Sequence, residues 1–295
     1  MPRMNWRLFG YQWLKQRVLG HAHGGEGPAQ ERTEAVLNLS QEDAEALRYA
    51  KSLLEHPSLA AKITSVLGTP IERGFALLPT KWAAVVNNAT RTALGRALNV
   101  ALLTVGDTGS RAASNRVHKL AVAATGAAGG FFGLPALAVE LPVSTTAILR
   151  SIADIARSEG ERLAAPEAKL ACLEVFAFGG PSTGDDAATA GYFATRAALD
   201  RVVSEAARHI AQKGVAREGA PALVRLITQV ASRFGITVSE KLAAQAVPIV
   251  GAVGGALINS LFLDHFQGMA RGHFIIRRLE RTYGPELVKQ EYDKG

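Results

Sequence analysis

The chain has 295 residues, a net charge of +7 and a pI near 9.7; 48% of its residues are hydrophobic and only 6% aromatic. That is enough apolar material for a sizeable core, and a core of Ala, Leu and Val favours closely packed helices over a sheet. One cysteine, Cys172, excludes an internal disulfide and a cysteine-based zinc cage. The cations are spread among acids with no nucleic-acid motif or aromatic platform, so the positive balance points to an anionic membrane surface and not to nucleic acid.

The first twenty residues, MPRMNWRLFGYQWLKQRVLG, carry Arg3, Arg7, Lys15 and Arg17 with no acid before Glu26. Written as a helix, Trp6, Phe9 and Trp13 crowd one side and cations such as Arg7 flank it, a pattern suited to a bilayer interface. A helix docked on the body by its aromatics fits the same residues. A continuous apolar h-region is missing, so this is no signal peptide. HAHGGEGPAQ, residues 21–30, reads as a linker, which divides the chain into an arm over 1–30 and a helical domain over 31–295.

Ser40 is placed to cap an amphipathic helix with acids in its first turn. A short helix follows from Pro57 to Gly68, and a long one opens at Thr80. The stretch Leu120 to Leu141, LAVAATGAAGGFFGLPALAVEL, is as apolar as a membrane span and is closed by Glu140. After Pro142 a helix continues or restarts and ends at Gly160, with Arg150 and Asp154 spaced as a surface pair. Cys172 lies in an apolar helix over Pro166 to Phe178, where an inert core thiol is expected. GGPSTGDD is a loop without the phosphate-binding pattern, and Asp185 or Asp186 is placed to cap the next helix. Thr237 and Glu240 have capping-box spacing, and from Pro248 to Gly284 the pattern stays helical for over thirty residues. No stretch alternates cleanly with period two. The expected class is all-α, a single large bundle.

Ala243 to Phe266, AAQAVPIVGAVGGALINSLFLDHF, repeats the earlier apolar sentence. Both contain Gly-Ala-x-Gly-Gly, and both reach an acid about ten residues later, Glu140 and Asp264. Gly126 and Gly130, Gly129 and Gly133, and Gly251 and Gly255, with Gly254 beside them, sit at helical spacing. Such strips let another backbone approach closely, at a cost of roughly 1 kcal/mol per glycine. Two readings follow: a pseudo-symmetric helix pair joined by its glycines, or Gly-rich turns between short helices.

The tract TVSEKLAAQAVPIVGAVGGALINSLFLDHFQGMARGHFIIRRLERTYG resembles the signature of the EcsC family, bacterial proteins named for the third member of an operon with an ABC transporter. LLPTKW, GLPALAVELPVSTTAILRSIADIA and GDDAATAGYFATRAAL support the likeness, which runs from about Glu42 to Tyr292. The resemblance carries no settled activity. A peptidase-like label often given to the family finds no His-Glu-x-x-His, Gly-x-Ser-x-Gly or cysteine–histidine signature here.

Chemistry is then read from the residues around the paired acids. Glu140, Lys241, Gln245, Asn259, Asp264, His265, Arg271 and His273 form the candidate polar cluster, with Glu140 and Asp264 brought into one interior if the repeats pack together. Two buried carboxylates require a cation. That cation is Lys241 or Arg271 in a structural network, or a divalent zinc, manganese or iron held by Glu140, Asp264 and His265 or His273. The structural network, with no cofactor, is the preferred expectation. Three functions stay in play. One is a membrane-associated accessory protein at the cytoplasmic face of the inner membrane, with an envelope or transporter protein as partner. The others are a metal-dependent hydrolase, and a protein inserting its glycine-rich hairpins into the bilayer.

Overall fold

A computed structural model describes residues 39–55, 59–68, 70–106, 134–179, 187–213, 220–247 and 251–294. The chain divides into two compact units, Met1–Glu42 and Asp43–Gly295. Only residues 39–42 of the first unit are described. The arm residues Trp6, Arg7, Phe9 and Trp13 lie outside the described residues, as do Gly126, Gly129, Gly130 and Gly133 of the first glycine element. The joining of two glycine strips therefore falls outside them too.

The described residues hold ten α-helices and no strand, so the class is all-α. They are α1 Gln41–Glu55, α2 Leu59–Leu67, α3 Ile71–Ala76, α4 Trp82–Thr104, α5 Leu134–Ser158, α6 Pro166–Glu174, α7 Ala187–Lys213, α8 Pro221–Ala246, α9 Gly251–Tyr283 and α10 Pro285–Lys294. The acids Glu42, Asp43 and Glu45 populate the first turn of α1, and Leu47, Ala50 and Leu54 form its buried stripe. Gly68 ends α2 with φ +63°, its amide bonded to the Thr64 carbonyl at 2.9 Å, the left-handed termination that glycine adopts without strain.

Of the two courses open at Pro142, the helix continues: Pro142 lies inside α5, which runs through it as one helix, since a proline there removes a single amide donor. Two local expectations are corrected. Thr237 and Glu240 start nothing: both lie buried in the interior of α8, where the amides a capping box would serve already have intrahelical partners. Asp154 pairs with Arg157 and not with Arg150, because i+3 and i+4 neighbours compete for the same carboxylate. Helix α3 adds an element that no sequence signal announced.

Helices α5 and α9 run side by side in the same direction. Their contacts advance together along both, from Glu140–Asn259 to Ser151–Gln267, and then to Glu161, just beyond α5, with Arg277. Helix α8 runs the other way, so that Lys241 near its end meets Glu140 near the start of α5. Between them lies the aromatic centre of Phe176, Phe234, Phe262 and Phe266, with ring centroids 4.9–6.0 Å apart.

Two glycines mark places where backbones meet. A Cβ on Gly74 would stand 1.9 Å from the Ala243 carbonyl oxygen, so α3 lies directly on α8. A Cβ on Gly272 would stand 2.7 Å from Leu54 Cγ and 3.0 Å from the Ala50 carbonyl oxygen. Gly268, one turn earlier, borders Leu53, so this pair forms the strip on which α1 packs.

Candidate functional site

The centre of the proposed cluster is Glu140. Helix α5 turns its carboxylate inward beside α8 and α9, leaving it 7% exposed. Lys241 Nζ donates to its Oε1 at 2.6 Å, and Asn259 Nδ2 donates to the same oxygen at 3.2 Å. Lys241 is fully buried, with its ammonium 4.8 Å from the centroid of the Phe262 ring. Charge is thus cancelled inside the bundle by a cation from another helix, as the desolvation cost of a lone carboxylate requires. Gln245 follows Lys241 by one turn; its Nε2 is buried and has no partner among the described residues.

The other proposed members lie elsewhere. Asp264 is on an exposed face of α9, about 140° round the helix from Asn259 at 100° per residue. Glu140 and Asp264 therefore do not share an interior, which corrects the paired-acid expectation. Arg271 is half-buried. His265 faces Gly179 and Met269, and its basicity is pushed down to about 3 by burial and then by Lys62. His273 sits further along α9 in an aromatic layer, its Nδ1 2.8 Å from Tyr192 Oη and its ring 4.9 Å from that of Phe178. Burial holds it far below the usual histidine range and pushes the Tyr192 hydroxyl up. The set Glu140, Asp264 and His265 is not assembled, and among the described residues no three His, Cys, Asp or Glu side chains are grouped to hold a metal.

A second, half-buried polar layer went unrecognised in the sequence. Arg196 of α7 grips Glu280 of α9 through two contacts of 2.7 Å, and Arg277 grips Glu161 at 2.8 and 3.3 Å. Burial raises the Glu161 carboxyl, but Arg277 and Arg281 outweigh it and hold it below the ordinary carboxylate range. Glu174 behind them is buried and pushed up to about 7, only partly relieved by Arg277 and Arg196. The Cys172 thiol is buried and pushed up to about 12, which makes it the inert core thiol expected. The sequence signal available for this layer is the run of arginines at 277, 278 and 281.

The family model described as the EcsC protein family matches residues 41–279, most of the chain. This chain belongs to the EcsC family. The matched span runs from α1 through most of α9 and takes in the Glu140–Lys241–Asn259 contact, His265, His273 and Tyr192 of this EcsC protein. No curated protein and no solved structure matches the chain. Among the described residues of this EcsC chain, no helix is long and apolar enough to cross a membrane.

Proposed function

We propose that this EcsC-family protein is a membrane-associated accessory or interaction protein, peripheral to the inner membrane on its cytoplasmic face. An anionic lipid surface binds its N-terminal arm, and an envelope or transporter protein is its partner. The observation that carries the reading is the arm itself: Arg3, Arg7, Lys15 and Arg17 without an intervening acid, alongside Trp6, Phe9 and Trp13. Tryptophan and phenylalanine suit the headgroup boundary, while each cation near an anionic surface contributes about 1 kcal/mol. The net charge of +7 acts in the same direction. The buried Glu140–Lys241 pair supports a structural role for the polar interior, since each charge is taken up by the other.

Flotation of the full-length protein with phosphatidylglycerol-containing vesicles and with neutral phosphatidylcholine vesicles tests the reading. Binding to the anionic vesicles is expected to weaken with salt. It is expected to fall further in the Trp6→Ala/Phe9→Ala/Trp13→Ala variant. Equal binding to both lipids, or binding untouched by the triple substitution, refutes the arm as the anchor.

A further inference from the structure

Helix α9 carries a second feature, one that the membrane reading does not use. His265 is 1% exposed, and both of its ring nitrogens lack a hydrogen-bonding partner among the described residues. A buried polar atom without a partner carries a cost of about 1–3 kcal/mol, so two on one ring call for an explanation. Met269 follows one turn later and is 2% exposed. The two side chains look at the same point from α9. A Cβ placed on Gly179 would stand 2.5 Å from His265 Nε2 and 2.9 Å from Met269 Sδ. Gly179 has φ +75°, so its backbone closes this corner without filling it with a side chain.

The donor set decides the class of ligand. A neutral imidazole nitrogen and a thioether sulfur are borderline and soft donors. Magnesium, calcium and manganese require oxygen ligands, and structural zinc takes four protein donors. Copper(I) accepts imidazole and thioether, and its single charge is the least costly to bury. We propose that His265 Nε2 and Met269 Sδ form a two-donor site for copper(I) in the corner closed by the Gly179 backbone. The site is distinct from the Glu140–Lys241 contact and does not depend on the N-terminal arm.

The test is an anaerobic competition in which the full-length protein withdraws copper(I) from its coloured bicinchoninate complex. One copper per chain is expected. Met269→Leu and His265→Gln are each expected to weaken retention by about tenfold or more, with helical circular dichroism unchanged. Met269→Leu conserves volume and keeps the test decisive if His265→Gln fails to fold. His21→Ala/His23→Ala, which alters the other closely spaced histidines, is expected to bind as the unsubstituted chain does. X-ray absorption of the copper-loaded protein is expected to show a sulfur neighbour. Failure to withdraw copper, equal retention by Met269→Leu, or a shell of nitrogen and oxygen alone overturns the proposal and leaves the imidazole to a buried water.

Discussion

Replacing Lys241 with Met is the sharpest probe of the bundle interior. Methionine fills similar volume and keeps an apolar stem, so the main change is removal of the ammonium. What remains is the Glu140 carboxylate, 7% exposed, with Asn259 Nδ2 at 3.2 Å as its described donor. Removing one member of a buried ion pair costs about 3–5 kcal/mol, because the other charge is left uncompensated in a poorly polarisable interior. For a folded body of this size each kcal/mol moves the melting temperature by about 2–4 °C, so Lys241→Met is expected to melt roughly 6–20 °C lower. The contact with the Phe262 ring is lost in the same step.

The companion variant decides the interpretation. In Glu140→Leu/Lys241→Met both charges are gone, and the double variant is expected to be at least as stable as Glu140→Leu alone, recovering most of what Lys241→Met loses. Urea denaturation of the four proteins, read at constant m, gives the coupling energy directly. A Lys241→Met loss below about 1 kcal/mol, the value for an exposed pair, would refute the reasoning: the ammonium would then be hydrated and not sealed between α5, α8 and α9.

Glu174 and Glu240 are both pushed up to about 7 by burial, against an ordinary 4.5. The folded chain therefore holds protons there that the unfolded chain releases. Their contribution is full below about pH 4.5 and is lost as the pH rises through 7, on the order of 3 kcal/mol each. Since the depressed His265 and His273 act with the opposite sign as pH falls below 6.5, the check is the difference between the unsubstituted chain and Glu174→Gln or Glu240→Gln, which is expected to grow from pH 5 to 8. Gly74→Ala drives a methyl to within 1.9 Å of the Ala243 carbonyl oxygen and is expected to cost several kcal/mol by thermal unfolding, whereas Gly95→Ala, with open space at its Cβ, is expected to be neutral or stabilising. Tyr192→Phe strands His273 Nδ1 and is expected to lose about 1–3 kcal/mol in the same measurement.

Helix α9 shows what was readable and what was not. Its length followed from an unbroken apolar period between Pro248 and Gly284, and its resemblance to the EcsC signature from one contiguous tract. The acid Glu140 stood out because it closes an apolar run. Its partner was named only as one of two cations, Lys241 or Arg271, because repeat symmetry set Asp264 beside it and the sequence alone does not say which cation the neighbouring helix turns inward; the structure supplies Lys241. Gly74 gave no signal within a six-residue helix, and Gly268 and Gly272 were hidden in QGMARG, whose polar letters mask a packing strip. Thr237 and Glu240 matched a capping pattern because that pattern is local, whereas continuation of α8 is fixed by its buried side chains.

The same geometry explains why one centre of chemistry was a poor expectation for this chain. A helix turns 100° per residue, so the thirty-three residues of α9 present every face in succession. Asn259 reaches α5, His265 and Met269 reach the Gly179 corner, and Gly272 takes the weight of α1. His273 reaches α7 through Tyr192, and Arg277 and Arg278 hold Glu161, Glu159 and Asp43. Polar residues that adjoin in the sequence are thereby dealt out to different neighbours, each contact fixing another helix to the same axis. A substitution along α9 is therefore expected to disturb the neighbour it meets, and the effects of substitutions at Asn259, Met269 and Arg277 are expected to add, since their described contacts reach different neighbours.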